Sequence, residues 1–240
     1  MHPPLVAALL LTACATEAPV DPCQGEGALA TCTAPNQPPE TYVAAAEAYF
    51  DTMDSRVEDP PWPPYSELVA RWEWPPWLKL TAYTRDNIEA TDTALRAFPS
   101  TVTERDCRAF DTAPFARCRV VFRYEAHDDL PCPIYEEFIF NERGEVTWIE
   151  AWSDQPGLLP MDGEADPWAE GKEVSRLGTR IPGLGTPDGR IDLDGDAMTG
   201  AAAGDADVAD FVRRAEDWQA TWLAELEAAG DDLWERGCGW

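Results

Sequence analysis

The clearest indication of the fold is the segment from Glu136 to Asp154, which reads EEFIFNERGEVTWIEAWSD. It contains two apolar runs on either side of Asn141-Glu142-Arg143-Gly144. Asn followed three residues later by Gly is typical of a type I turn closed by a left-handed glycine. The stretch therefore predicts a β-hairpin with strands at 134–140 and 145–153. The implied register places Glu136 opposite Glu150.

The two faces of this hairpin follow from the register, because successive side chains of a strand point to opposite faces. One face would carry Ile134, Glu136, Phe138, Phe140, Val146, Trp148, Glu150 and Trp152. The other would carry Tyr135, Glu137, Ile139, Thr147, Ile149, Ala151 and Ser153. Since both sets are substantially apolar, we expect both faces of the sheet to be partly covered.

A second hairpin precedes the first, with strands at 101–110 and 115–125 joined by a turn at 111–114. Its register places Cys107 directly opposite Cys118, at a separation that a disulfide can bridge. The segment from Thr101 to Ser153 is therefore expected to consist of strands.

Helices are predicted on both sides of the strands. The first begins near Glu40 and has an apolar face at helical spacing, and prolines interrupt the chain at 60–64. Two short helical stretches follow, at 66–72 and 86–98. After the strands, a loop rich in Pro, Gly and Asp extends to about Gly204, and a helix from about Asp207 to Ala229 ends at Gly230.

Helices followed by strands that end in the 136–154 hairpin resemble the SnoaL-like branch of the NTF2-like superfamily. The resemblance covers residues 40–154 and implies an α+β fold, in which a curved antiparallel sheet packs on helices and forms a cone with an internal pocket. Residues 155–240 would add an acidic loop and a C-terminal helix to the same domain. The superfamily includes isomerases, cyclases, dehydratases and members without catalysis, so the fold does not settle the function.

The N-terminus resembles a bacterial lipoprotein signal. Residues 5–13 are a short apolar run, and Leu11-Thr12-Ala13-Cys14 resembles a lipobox, although residues 1–4 contain no Lys or Arg. The resemblance implies cleavage after residue 13 and lipidation of Cys14, followed by a flexible tether at 14–39. The expected location is the bacterial cell envelope, with the protein held on a membrane by its lipid anchor.

Seven cysteines then divide into one lipidated residue and six others. An even number in an exported chain favours disulfides over metal ligands, although sequence alone leaves their pairing open. The pairs would be Cys107 with Cys118 from the hairpin register, Cys132 with Cys238 by elimination, and Cys23 with Cys32 within the tether. His127 is the only histidine beyond the leader, so we expect neither a zinc site nor a cofactor.

The charge excludes several classes of partner. The 240 residues include 45 Asp and Glu against 18 Lys and Arg, for a net charge of -27. Such a surface repels phosphate backbones and anionic lipid headgroups, which argues against nucleic-acid binding and against adhesion through a basic patch. Apolar residues make up 45% of the chain, enough for a buried core.

Two groups of residues are candidates for chemistry. If Glu136 and Glu150 face each other on an aromatic surface, their mutual repulsion would raise the proton affinity of one of them and suit it to acid-base catalysis. The alternative is that both carboxylates reach water. Tyr83, Tyr124, Trp148 and Trp152 are the candidate ligand-binding residues, while His127 beside Asp128 is interpreted as a loop histidine.

Two further patterns favour structural interpretations. Trp62, Trp72, Trp74 and Trp77 lie among prolines, where they would either pack into an irregular core or form the lid of a pocket. The acidic loop at 188–196 lacks the glycine and glutamate of a calcium loop at the required positions. The sequence thus predicts binding of a small apolar ligand or an envelope protein partner, with an isomerase or cyclase type of enzyme as the alternative.

Overall fold

The computed structural model describes residues 36–76, 81–111, 113–160, 166–169, 176–184 and 189–240. The predictions for the leader, Cys14, the Cys23–Cys32 pair and Trp77 lie outside these residues. The elements are α1 Pro39–Met53, β1 Tyr65–Glu73, β2 Ala82–Tyr83, α2 Arg85–Leu95, β3 Ser100–Ala109, β4 Phe115–Tyr124, β5 Pro131–Phe140, β6 Val146–Ser153, α3 Asp196–Gly204 and α4 Ala206–Cys238. The predicted α+β class is confirmed.

The six strands form one open, mixed sheet in the order β2-β1-β6-β5-β4-β3. Strand β1 runs parallel to β6, whereas the other neighbours are antiparallel. The prediction of a purely antiparallel sheet was therefore wrong at this pair. Strand β1 itself was not predicted, because residues 66–72 were predicted to be helical.

Strand β1 shows why its sequence was misleading. All but two of its nine residues are buried, since helices or loops cover both faces of the sheet there. A strand buried on both faces loses the alternation of polar and apolar residues that identifies a half-exposed strand. The short apolar run in SELVARW therefore fits a helix and a strand equally well.

The β3–β4 hairpin has the predicted pairing at its outer end. Cys107 lies opposite Cys118, and a disulfide joins them across a Cα–Cα distance of 4.0 Å. Further along, the register shifts between Thr103 and Asp106, where Glu104 has a φ of 53°.

The β5–β6 hairpin corrects the predicted faces. Phe140 pairs with Val146 as expected, but Ile139 pairs with Trp148, so Thr147 is an extra residue on β6. Such a bulge moves every later side chain of the strand to the other face relative to its partner. The predicted Glu136–Glu150 pair is consequently wrong.

After the bulge, the two glutamates lie on opposite faces of the sheet. Glu136 is opposite Ala151, while Glu137 is opposite Glu150. All eight residues of β6 are buried, which confirms that both faces of the sheet are covered.

A separate core lies on each face. Helix α1 begins at Pro39, where the missing N–H group costs nothing, and packs Tyr42, Tyr49 and Phe50 onto β4 and β5. We call this side the inner face. On the outer face, Trp72 and Trp148 pack with residues from 177–198 and with Phe211 of α4.

Helix α4 contributes to both cores. The Asp205 side chain caps its start by accepting hydrogen bonds from the backbone N–H groups of residues 207 and 208. Phe211 belongs to the outer core, while Leu233 and Cys238 belong to the inner one. The helix therefore passes from one face of the sheet to the other.

Gly230 interrupts α4 with φ 49° and ψ -142°, but the helical conformation resumes and continues to Cys238. The prediction that the helix ends at Gly230 was thus only partly correct. The predicted Cys132–Cys238 disulfide holds the last turn to β5, and the Ser153 hydroxyl donates to the Gly237 carbonyl beside it. The loop predicted up to Gly204 also contains α3.

Candidate functional site

A cavity of about 750 Å³ opens on the inner face, between the sheet, α1, α2 and the second half of α4. Its volume lies in the usual range for small-molecule sites. Much of the wall is apolar, and includes Met53, Leu95, Phe122, Ile134, Trp222 and Leu226. The polar lining includes Tyr49, Arg71, Glu73, Tyr124, His127 and Glu136.

A buried cluster of charged side chains forms one part of the wall. Arg71 on β1 is fully buried, and its Nη1 donates to Asp92 Oδ1 of α2 at 2.6 Å and to the Tyr49 hydroxyl at 2.9 Å. Its Nε lies 3.2 Å from Glu73 Oε1 on the same strand. Alternation along β1 brings Arg71 and Glu73 to one face, two residues apart.

Glu136 on β5 joins this cluster without a cationic partner among the described residues. Only 3% of it is exposed, and its Oε2 has no hydrogen-bond partner within the described part of the chain. Because a buried polar atom without a partner loses its hydration, Glu136 is the least satisfied carboxylate of the cavity wall.

Burial changes the protonation of both glutamates. Loss of hydration raises the pKa of Glu136 well above its usual value, and repulsion from Glu73 adds to the effect, while Arg71 and a hydrogen bond with Tyr49 oppose it. Burial also raises the pKa of Glu73 to about 7, against the opposing attraction of Arg71. Two neighbouring carboxyl groups with different proton affinities can serve as an acid and a base.

Aromatic rings form another part of the wall. Tyr124, one of the predicted ligand-binding residues, stacks on Phe122 and lies 4.3 Å, centroid to centroid, from Trp234 of α4. His127 contacts Trp234 and Trp240 from a 3-10 turn at Glu125–His127. His127 was predicted to lie in a loop and lies in a short turn, and its side chain also lines the cavity.

The other three predicted ligand-binding residues lie away from the cavity. The Tyr83 hydroxyl donates to the Ile191 carbonyl, and Trp148 packs edge-on against Phe211 in the outer core. Trp152 stacks on Tyr135 and is fully buried. The Thr147 bulge explains the two tryptophans, because it moves both to the outer face.

Glu150 likewise does not line the cavity and instead holds a loop on the outer face. It accepts from the backbone N–H groups of Leu177 at 2.8 Å and Gly178 at 2.7 Å, and from the Trp74 indole. Burial raises its pKa, while attraction to Arg176 and hydrogen bonds from Trp74 and Gly178 oppose the rise. A Cβ on Gly178 would lie 2.8 Å from Glu150 Oε2, so only glycine fits at this contact.

Arg71, Glu73 and Asp92 were not predicted as site residues. The helical prediction for 66–72 separates Arg71 from the strands, and the sequence of α2 does not distinguish Asp92 from the other carboxylates of that helix, Asp86 and Glu89. One signal was present: Arg71 and Glu73 are charged residues at a spacing of two in an otherwise apolar run, which in a buried strand points both to one face.

The remaining candidates have structural surroundings. Trp72 is fully buried and its ring contacts that of the partly buried Trp74, whereas Trp62 is 40% exposed. In the acidic loop, the Asp192 side chain accepts from the backbone N–H of Asp194. Within the described ranges, no group of three or more His, Cys, Asp or Glu side chains is arranged to hold a metal ion.

None of the helices in the described part of the chain is both long and apolar enough to cross a membrane. Comparison with known proteins found no family model and no curated protein that matches this sequence.

Proposed function

We propose that this protein binds a small, largely apolar ligand in the inner-face cavity, without catalysis. The observation that carries the proposal is the cavity itself, an apolar space of about 750 Å³ with a few polar groups in its wall. Ligand sites combine these two features, because apolar walls supply affinity and a few polar groups fix orientation.

Two variants of α4 test this proposal. Leu226 lines the cavity, so Leu226→Trp fills part of it, whereas Ala228 on the same helix is exposed and does not line it. Native mass spectrometry of protein isolated from its host should show a bound small molecule in the wild type and in Ala228→Trp. Leu226→Trp should have lost it.

Isothermal titration with 1-octanol measures the affinity of the same two variants for an apolar ligand. We expect the wild type and Ala228→Trp to bind 1-octanol. Leu226→Trp should bind it at least tenfold more weakly, because a tenfold loss of affinity corresponds to burial of about one to two methylene groups. Equal binding by both variants would place the ligand elsewhere. Copurification of a protein instead of a small molecule would favour an envelope protein partner.

The fold proposal accompanies this function. We propose an NTF2-like domain of the SnoaL-like kind over residues 40–154, with residues 155–240 packed on it as an extension. Support comes from helices packed on the inner face of a sheet around a cavity. The parallel β1–β6 pair and the open sheet are the features that an experimental structure of a true relative would have to share.

Cell-envelope attachment is a separate proposal. The lipobox-like Leu11-Thr12-Ala13-Cys14 supports a lipid anchor on Cys14. In the native host, the wild type should partition into detergent and Cys14→Ser into the aqueous phase. A Cys14→Ser protein that still partitions into detergent would contradict lipidation at this residue.

Acid-base catalysis is the second candidate, because Glu73 and Glu136 line one cavity and have raised pKa values. The acid and the base would be Glu136 and Glu73, because Glu150 lies on the outer face. A β,γ-unsaturated cyclic ketone is a suitable probe, because its isomerisation moves one proton by an acid and a base. Conversion by the wild type that is lost in Glu136→Gln but kept in the exposed-site control Glu67→Gln would favour an enzyme.

A further inference from the structure

We infer that the ligand of this cavity carries a protonated amine on an apolar body, and that Glu136 receives the amine. The inference rests on the proposed ligand-binding function and adds the chemical class of the ligand. Four observations lead to it.

The first observation is the charge balance of the buried cluster to which the wall residues Arg71, Glu73 and Glu136 belong. Three carboxylates, those of Glu73, Asp92 and Glu136, surround the Arg71 guanidinium. Asp92 lies 2.6 Å from Nη1 and Glu73 3.2 Å from Nε, so both are paired with the guanidinium. The cluster therefore has more carboxyl groups than cations, and Glu136 is the carboxyl group without an ion pair among the described residues.

The second observation is the unused oxygen of Glu136. Its Oε2 has no hydrogen-bond donor within the described residues, although only 3% of the residue is exposed. An ammonium group has three donors and no acceptor, so it can satisfy this oxygen and supply the missing charge together. A ligand amine therefore meets both deficits of the site.

The third observation is the aromatic lining. Tyr49, Phe122, Tyr124 and Trp234 border the same space as Glu136. The faces of aromatic rings attract cations through their quadrupoles, and the attraction increases where water is excluded. These rings therefore suit a cationic head as well as the apolar body behind it.

The fourth observation is the rest of the charged lining. Beyond the buried cluster, α4 contributes Glu227 and Asp231, and the turn after β4 contributes His127. Both carboxylates favour the entry of a cation. Arg71 is the residue that would receive a carboxylate head, because its Nε and Nη2 have no hydrogen-bond partner among the described residues, but its charge is already paired with Asp92 and Glu73.

Amine binding should also move a proton. Burial and the neighbouring Glu73 raise the pKa of Glu136, so this carboxyl group binds a proton more tightly than an exposed glutamate does. An ammonium beside it favours the charged form, and the proton leaves to solvent. The heat of binding should then vary with the ionisation enthalpy of the buffer.

Three eight-carbon compounds, octylamine, 1-octanol and octanoate, test the inference on the full chain. They share one apolar body and differ in the head. By isothermal titration at about pH 7.5 and about 150 mM salt, we expect octylamine to bind roughly tenfold tighter than 1-octanol, and octanoate to bind most weakly. Proton release should accompany octylamine binding only.

Glu136→Gln keeps the shape of the side chain and removes its charge. It should bind octylamine and 1-octanol within about threefold of each other and release no proton, while retained 1-octanol binding shows that the cavity is intact. Glu67→Gln removes an exposed charge from β1 and should behave as the wild type.

The outcomes separate the two proposals. Octylamine binding no tighter than 1-octanol, or a preference that survives in Glu136→Gln, overturns the amine inference and leaves ligand binding in place. Failure of all three compounds to bind overturns the proposed function itself.

Discussion

At the residue scale, Arg71 is buried beside the three carboxyl groups of Glu73, Asp92 and Glu136. The net charge of this cluster depends on how many of these carboxyl groups are protonated. Burial raises the pKa of Glu73, Asp92 and Glu136, with Arg71 opposing the rise in each case. Groups whose pKa is raised on folding bind protons more tightly in the folded state than in the unfolded one. Their contribution to stability is therefore complete at low pH and is lost as pH rises through the folded-state pKa.

For Glu73, the pH dependence of the unfolding free energy can be predicted and measured. Its pKa rises from 4.5 to about 7, so the wild type should lose about 3 kcal/mol of unfolding free energy through Glu73 between about pH 4.5 and pH 7. Glu73→Gln should lack this part of the slope. Urea unfolding at about pH 5 and about pH 7.5 measures it, and Glu67→Gln should keep the wild-type slope. Equal slopes in Glu73→Gln and the wild type would contradict a raised pKa.

The residue scale also shows where sequence reasoning succeeds and fails. Cys107 and Cys118 were paired correctly because the register near a short turn is fixed by the turn. Glu136 and Glu150 were not, because Thr147 adds one residue to β6 and nothing in its sequence distinguishes a bulge from a regular strand. Tyr124, predicted to bind a ligand, lines the cavity, whereas Trp148 and Trp152 were assigned to the wrong face by the same one-residue shift.

At the element scale, α4 owes its shape to Gly230. A φ of 49° with ψ of -142° lies in a region that is open to glycine and strained for other residues. No atom lies within 4 Å of a Cβ built there, so the constraint comes from the backbone and not from crowding. The bend places Asp231 and Trp234 along the cavity wall.

Gly230→Ala should therefore destabilise the protein by about 1–3 kcal/mol, through backbone strain. Gly200→Ala in α3 is the matched control, because Gly200 is exposed, has ordinary helical geometry and has nothing within 4 Å of the position that an added methyl group would take. It should stabilise the protein by up to about 1 kcal/mol. Chemical denaturation of both variants measures the difference, and equal effects would show that the bend at Gly230 is not required.

The two disulfides differ in what they hold. Cys107–Cys118 links neighbouring strands 11 residues apart, whereas Cys132–Cys238 ties α4 to β5 across 106 residues. On chain entropy, loss of the first should cost about 3 kcal/mol and loss of the second about 5 kcal/mol. Only the Cys132→Ser/Cys238→Ser variant should also show faster hydrogen exchange in α4 and weaker 1-octanol binding. Unchanged exchange in α4 would mean that packing alone holds it.

Elements were predictable from sequence to the extent that one of their faces is exposed. Helix α1 and the start of α4 have clear helical periodicity, and the prediction located both. Strand β1 is buried on both faces and was assigned to the wrong class, which concealed Arg71 and Glu73 with it. Helix α3 was not predicted, because its segment is rich in Gly and Ala and has weak apolar periodicity.

At the scale of the whole molecule, a net charge of -27 acts on every equilibrium of the protein. Repulsion among carboxylates opposes the compact state, and salt screens it. Raising sodium chloride from about 20 mM to about 300 mM should increase Tm. Sucrose at equal osmolality controls for solvent exclusion, and a Tm that responds equally to both would contradict an electrostatic origin.

The path of α4 has a consequence for the time course of synthesis. All six strands and α1 precede Ser153 in the chain, whereas the helical wall over the cavity follows some 70 residues later, from Trp222 onward. A chain made from its N-terminus can therefore complete the sheet and pack α1 on it while the cavity is still open on the side that α4 later covers. A ligand present during synthesis has direct access at that stage, and the Cys132–Cys238 bond can form only after α4 has been made.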